Sequence, residues 1–121
     1  MPNTMTTPEP RVTPAARAAG ATLGSGVVIV YDESADLVDA VLRIAEFFRD
    51  ESCGQCVPCR VGTVRQEEAL RRLAANRGRG DELATLADLA QVMRDASICG
   101  LGQTAANAVA SAVANLGVFA E

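Results

Sequence analysis

The sequence predicts a mainly α protein: a four-helix bundle with one short strand ahead of it and a flexible tail at the N-terminus. Three observations predict this. Apolar residues recur at three- and four-residue steps in four separate segments. A single unbroken β-branched run, Val27 to Tyr31, is short enough to be a buried strand. The first twenty or so residues mix Pro, Thr, Ala and Arg without periodicity, a composition that cannot bury enough apolar surface to offset the entropy of ordering. Residues 1–23 are therefore assigned to the tail and 24–121 to a helical domain. A chain of 121 residues supports one small domain with a modest core.

Taken in order, the tail carries Arg11 and Arg17 among Ala and Thr, but Pro8, Pro10 and Pro14 break the amphipathic helix that a transit peptide requires. Such a tail is free to order against a partner. Gly24 and Gly26 punctuate the entry to the strand, and no glycine-rich turn follows it to open a helix, so a nucleotide-binding fingerprint is absent. Ser34 is placed to cap the first helix, in which Leu37, Val41, Ile44 and Phe48 form a stripe, with Asp36 near the positive end and Arg49 near the close. A cysteine loop interrupts at Cys53. Helical composition resumes from Arg60 to Asn76, with Val61, Val64, Leu70 and Leu73 as its apolar positions and Glu68 and Arg72 one turn apart. Gly78 and Gly80 end that helix and Asp81 starts the next, whose stripe is Leu83, Leu86, Ala90 and Met93. A turn then carries Cys99. The last helix runs from Gln103 to Leu116 with Val109, Val113 and Leu116 on one side and Gly117 as its stop. Ala, Val and Leu permit close helix approach, so a bundle with few aromatics can bury these stripes.

The chemistry lies in the cysteines. Cys53-Gly54-Gln55-Cys56-Val57-Pro58-Cys59 places three thiols at a repeated three-residue step, and Cys99 stands alone far downstream. Soft thiolates packed around one face and closed by a remote fourth suit a cubane iron-sulfur cluster, so Cys53, Cys56, Cys59 and Cys99 are the candidate ligands of one [4Fe-4S] centre. Structural zinc also accepts four thiolates, though usually from two separate two-cysteine knuckles. A disulfide pair suits a secreted protein, but the N-terminus lacks the apolar core of a signal peptide, so a reducing, cytoplasmic location is expected. A thioredoxin-like pair uses only two of the four cysteines and wants a preceding strand. No histidine is present, which removes haem attachment through Cys-x-x-Cys-His, histidine zinc sites and histidine-based triads.

Both cysteine segments lead into helices. Backbone N–H groups from Arg60 and from Leu101 onward are thus expected near the centre, where helix N-termini favour the negative charge of a thiolate-bound cubane. Arg60 is either a neutralising cation or simply solvated. Gly54, Gly100 and Gly102 let the backbone wrap closely, or serve only as turns, and Pro58 stiffens the loop. The net charge of −4 and an aromatic content of 3% argue against nucleic acid as a partner. No stretch approaches the run of about eighteen apolar residues that a membrane span needs.

The stretch Asp50-Glu51-Ser52-Cys53-Gly54-Gln55-Cys56-Val57-Pro58-Cys59-Arg60, together with Ser97-Ile98-Cys99-Gly100-Leu101-Gly102-Gln103, resembles the iron-sulfur-binding region of the NADH-binding flavoprotein subunit of respiratory complex I. It is also similar to the equivalent subunits of NAD-linked hydrogenases and formate dehydrogenases. The resemblance runs from about Gly24 to the C-terminal helix. It implies a helical bundle whose four cysteines, here Cys53, Cys56, Cys59 and Cys99, hold one [4Fe-4S] cluster that accepts electrons from a nearby flavin. Family members carry a large flavin- and NADH-binding domain ahead of this region, where this chain has a short tail, so NADH oxidation by this polypeptide alone is not expected. Gln55 stands where a lysine is common and Val61 where a glutamate is common.

The expected function is that of a non-catalytic electron-relay subunit in a hydrogenase or a formate or NADH dehydrogenase assembly. Its expected partners are a flavoprotein or catalytic metal subunit on one side and a ferredoxin-like iron-sulfur protein on the other. The alternative is a docking or regulatory module that zinc or an iron-sulfur group merely stabilises. Catalysis by a nucleophilic cysteine ranks last, because no base accompanies the thiols.

Overall fold

The computed structural model describes residues 14–22 and 27–120. The chain divides into two compact units, 1–34 and 35–121. Most of the tail, and the glycines ahead of the expected strand, lie outside the described residues.

In the first unit a single helical turn, α1 (Pro14–Ala18), opens on proline. Proline is tolerated there because its missing N–H is one that the first turn of a helix leaves unpaired in any case. Gly20 closes the turn at φ +82°. The expected strand is not formed: among the described residues no strand occurs. Val27, Val28, Ile29, Val30 and Tyr31 are all exposed, Val30 at 88%. A β-branched run becomes a strand only by pairing with another, and no second strand exists among the described residues to supply a ladder.

The second unit is helical throughout. α2 (Leu37–Glu51) is capped by Asp36, whose side chain accepts from Val38 N at 2.9 Å and Asp39 N at 3.1 Å. The expected cap, Ser34, instead donates its hydroxyl and its backbone N–H to Asp32 Oδ1 at 2.6 and 2.9 Å. α3 (Val57–Ala74) begins three residues before the expected start, with Pro58 in its first turn. Asn76 at φ +53° turns the chain out of it. α4 (Glu82–Ala96) follows. The expected single helix from Gln103 is two, α5 (Gly100–Thr104) and α6 (Asn107–Leu116), and α6 ends at Gly117 in the left-handed region as expected. At the break, the Ala105 carbonyl accepts from the buried Gln66 side chain of α3 at 3.2 Å.

α3 packs against both α2 and α4, α6 lies against α2 and α4, and the short α5 is held against α3 and α4. The main core joins Val41 and Ala45 of α2, Ala69 and Leu70 of α3, Leu86 of α4, and Val109 and Ala112 of α6, with Val118 beyond. A second cluster, around Met93, Ala105 and Ala106, lies beside α5. The buried face of α3 keeps half of the apolar stripe expected, Leu70 in the core and Leu73 packed against it. Val61 and Val64 are exposed, whereas Thr63, Gln66 and Glu67 are buried. Glu67 is satisfied by Arg71 Nε at 2.7 Å and by Arg49 of α2, so an ion pair links these two helices. Arg71 reaches Glu46 as well. The expected Glu68–Arg72 pair is replaced by Arg65–Glu68 at 2.7 Å and Arg72–Glu82 at 3.3 Å. Glu82 also accepts from the backbone N–H groups of Arg79 and Gly80, which anchors the start of α4. At Gly62 the helices α3 and α4 approach so closely that an added Cβ would lie 2.6 Å from Met93 Cγ. No described helix is long and apolar enough to cross a membrane.

Candidate metal centre

Each cysteine segment ends in a helix N-terminus, and the two helices that follow, α3 and α5, are in contact. Cys56 is the N-cap of α3 and Cys99 the N-cap of α5, both in extended backbone conformation. Between α2 and α3, residues 52–56 form a loop that Gly54 turns at φ +75° and that Arg60 closes by donating to the Gly54 carbonyl at 2.9 Å. Arg60 thus braces the loop. Contact between α5 and α3 is set by Gly102, where a Cβ would lie 2.7 Å from Ser97 Cβ and 2.8 Å from Cys59 Cβ. Only a residue without a side chain fits that approach. Gly102 is thus more than a turn residue: it permits the close approach of α5 to Ser97 and Cys59.

Cys53, Cys56, Cys59 and Cys99 all line one cavity of about 200 Å³. Its remaining walls are Glu51, Ser52, Gln55, Ile98 and Leu101, and its surface is almost entirely apolar. Cys59 is buried at 5% exposure, Cys56 is half-buried, and Cys53 and Cys99 are exposed. None is in a disulfide. All four residues singled out by spacing are therefore brought to one place.

The polar atoms around the thiols favour negative charge. The Cys56 thiol is held below its ordinary pKa chiefly by the Ile98 N–H and then by the Cys59 N–H; burial opposes this, and the nearby Ser97 hydroxyl adds to it. These sulfur-directed amides differ from the expected ones, since the Arg60 N–H goes to the Cys56 carbonyl at 3.1 Å as the first helical bond of α3. Neither α3 nor α5 carries an acidic residue in its first turn, so the positive end of the long helix α3 is left for an anionic occupant. Sequence reasoning missed two serines. Ser52 Oγ lies 3.2 Å from Cys59 Sγ. Ser97, beside the close approach of Gly102, is 7% exposed, and its hydroxyl is among the groups that hold the Cys56 thiol down. Their positions, one residue before Cys53 and two before Cys99, were the only signal available.

The space suits a polynuclear group better than one ion. Four thiolates around zinc stand about 2.3 Å from the metal, whereas this cavity is of the order of the roughly 150 Å³ void that admits a benzene. A compact cluster bridging four spread thiols fits the donor set, the apolar lining and the glycine at its wall.

Comparison with known proteins agrees. Residues 39–117 match the NADH-ubiquinone oxidoreductase-F iron-sulfur binding region. The mitochondrial NADH-ubiquinone oxidoreductase 51 kDa subunit of Neurospora crassa is 41% identical over 81 residues, covering 67% of this chain and 16% of the relative. The NADP-reducing hydrogenase subunit HndC of Solidesulfovibrio fructosivorans is 38% identical over 89 residues, 74% of this chain and 18% of its own. An NAD+-reducing [NiFe]-hydrogenase, solved in its H2-reduced state, superposes with a TM-score of 0.69 at 39% identity over 74% of this chain and 16% of that one. The chain spans less than a fifth of the length of these two curated relatives.

Proposed function

The chain belongs to the NADH-ubiquinone oxidoreductase-F iron-sulfur binding family, whose cofactor is a [4Fe-4S] cluster, and from that premise we propose that it is the electron-relay subunit of a larger oxidoreductase. Cys53, Cys56, Cys59 and Cys99 are its proposed ligands. One observation carries the reading: the three thiols of one loop and the remote Cys99 line a single apolar cavity.

When bound, the cluster supplies one-electron chemistry in which no bond to a substrate is made or broken. The protein's own part is to hold charge and exclude water. The N-terminus of α3 and the amides of Ile98 and Cys59 stabilise thiolate charge. The apolar walls keep the local dielectric low, so these interactions are stronger than in water. Ile98, in the wall of the site and 70% exposed, gives a redox partner an apolar contact beside the exposed Cys53 and Cys99.

The packing of α2, α3, α4 and α6, all within the compact unit of residues 35–121, supports a four-helix bundle around the cluster. A centre that relays electrons needs redox partners on two sides. We assign a flavoprotein or catalytic metal subunit to one and a ferredoxin-like protein to the other, in a cytoplasmic hydrogenase or formate or NADH dehydrogenase. Purification of the native assembly tests this. Co-elution with further redox subunits, and reduction of the centre by that assembly's own electron donor, is the expected result. A chain that elutes alone with a redox-silent metal would instead be a docking module.

A further inference from the structure

Ser52 stands at the C-terminal cap of α2, one residue ahead of the first cysteine. Its hydroxyl oxygen lies 3.2 Å from the sulfur of Cys59, the most buried of the four thiols, and 3.4 Å from the Gly54 backbone nitrogen. A backbone N–H can only donate, so Gly54 occupies one of the two lone pairs on the Ser52 oxygen. Between the hydroxyl and a protonated thiol either atom can donate, and it is loss of the thiol hydrogen on ligation that makes Ser52 the donor. In a ligating cysteine that sulfur is an acceptor only.

We propose that Ser52 donates a hydrogen bond to the Cys59 thiolate and by doing so raises the reduction potential of the bound cluster. The inference rests on Cys59 being a ligand, as proposed above. Its physical basis is differential. Reduction adds negative charge that is shared with the ligand sulfurs, and a donor to a charged acceptor gains strength as that charge grows. Cys59 is only 5% exposed, and burial around its sulfur strengthens the gain. Ser52 is therefore a positioning and tuning residue; it holds neither the metal nor a substrate.

The test is an EPR-monitored potentiometric titration of the holoprotein as wild type, Ser52→Ala and Ser52→Thr. Ser52→Ala is expected to retain its iron while the reduced-to-oxidised ratio at a fixed potential falls about tenfold, which for a one-electron couple is a midpoint lower by about 59 mV. Ser52→Thr, which keeps a hydroxyl, is expected to return most of that shift. An unchanged midpoint in Ser52→Ala with full iron content overturns the proposal and leaves the relay function standing. Should Ser52→Ala lose the cluster, the near-isosteric pair Ser52→Thr and Ser52→Val decides, and equal midpoints in that pair overturn it. A second reading is independent of folding: transfer of the wild-type holoprotein to D2O should move the Fe–S(Cys) stretching bands in resonance Raman spectra, and bands that do not move contradict the proposal. A wild type that binds no iron-sulfur centre at all is a different failure, that of the relay function itself.

Discussion

Replacing Gly102 by alanine tests how α5 is held against α3. The added Cβ would sit 2.7 Å from Ser97 Cβ and 2.8 Å from Cys59 Cβ, so one side must retreat by 0.6–0.7 Å merely to reach the 3.4 Å of ordinary contact. Neither obstacle is the loose end of a flexible side chain. Both are Cβ atoms fixed to backbone, in residues exposed by only 7% and 5%. Overpacking of this kind costs about 1–3 kcal/mol. For a helical unit of this size each kcal/mol lowers the melting temperature by roughly 4–8 °C. The consequence for the centre is sharper. Cys99 caps α5, so a displaced α5 carries its thiol away from Cys59 by more than the tolerance of about 0.2 Å that metal–ligand distances allow. Far-UV circular dichroism melts, together with iron and sulfide per chain, measure both effects. Gly102→Ala is expected to melt several degrees lower and to hold less than half the wild-type iron. Full iron with a melting temperature within 2 °C of wild type would refute the argument that this close approach builds the site.

Two further substitutions probe the helices that carry the cysteines. Leu70 is wholly buried where α3 meets the main core, so Leu70→Ala should cost about 2–5 kcal/mol, read as a lowered urea midpoint at unchanged slope; a loss below 1 kcal/mol would mean that the core is not packed as described. Glu82 has its carboxyl held below the ordinary 4.5, chiefly by the Arg79 N–H, with Arg72 and Gly80 adding to it and burial opposing. A depressed pKa contributes stability that is present above the unfolded value and is lost as pH falls through the folded one. Wild type should therefore exceed Glu82→Gln in stability at neutral pH, and the two urea midpoints should converge as pH drops below 4.5. A gap that persists unchanged in acid would contradict the role given to that carboxylate.

The site was legible because cysteine spacing is a local signal. Three thiols on one loop need no knowledge of tertiary structure, and the expectation that each segment leads into a helix was right for Cys56 and Cys99. α2 and the Gly117 stop were legible for a similar reason, since stripe and terminator lie within a few residues of each other. Three features were not. Val27 to Tyr31 has the composition of a strand, but pairing is a non-local property that composition does not encode. Part of the buried face of α3 was misread because Gln66 and Glu67, polar in isolation, are satisfied by partners remote in sequence, the Ala105 carbonyl and Arg49. That left Val61 and Val64 on the exposed side. The same Gln66 bond marks the break between α5 and α6, which no glycine or proline announces. Ser52 was invisible as a sulfur neighbour because its partner lies seven residues away across a loop whose shape depends on Gly54 and Arg60.

The most direct test of the central claim is metal analysis combined with low-temperature EPR of the anaerobically prepared protein before and after dithionite reduction. About four irons and four sulfides per chain are expected, with a paramagnetic signal that appears on reduction and disappears when Cys59 or Cys99 is changed to serine. Stoichiometric zinc, with no signal in either state, would contradict it.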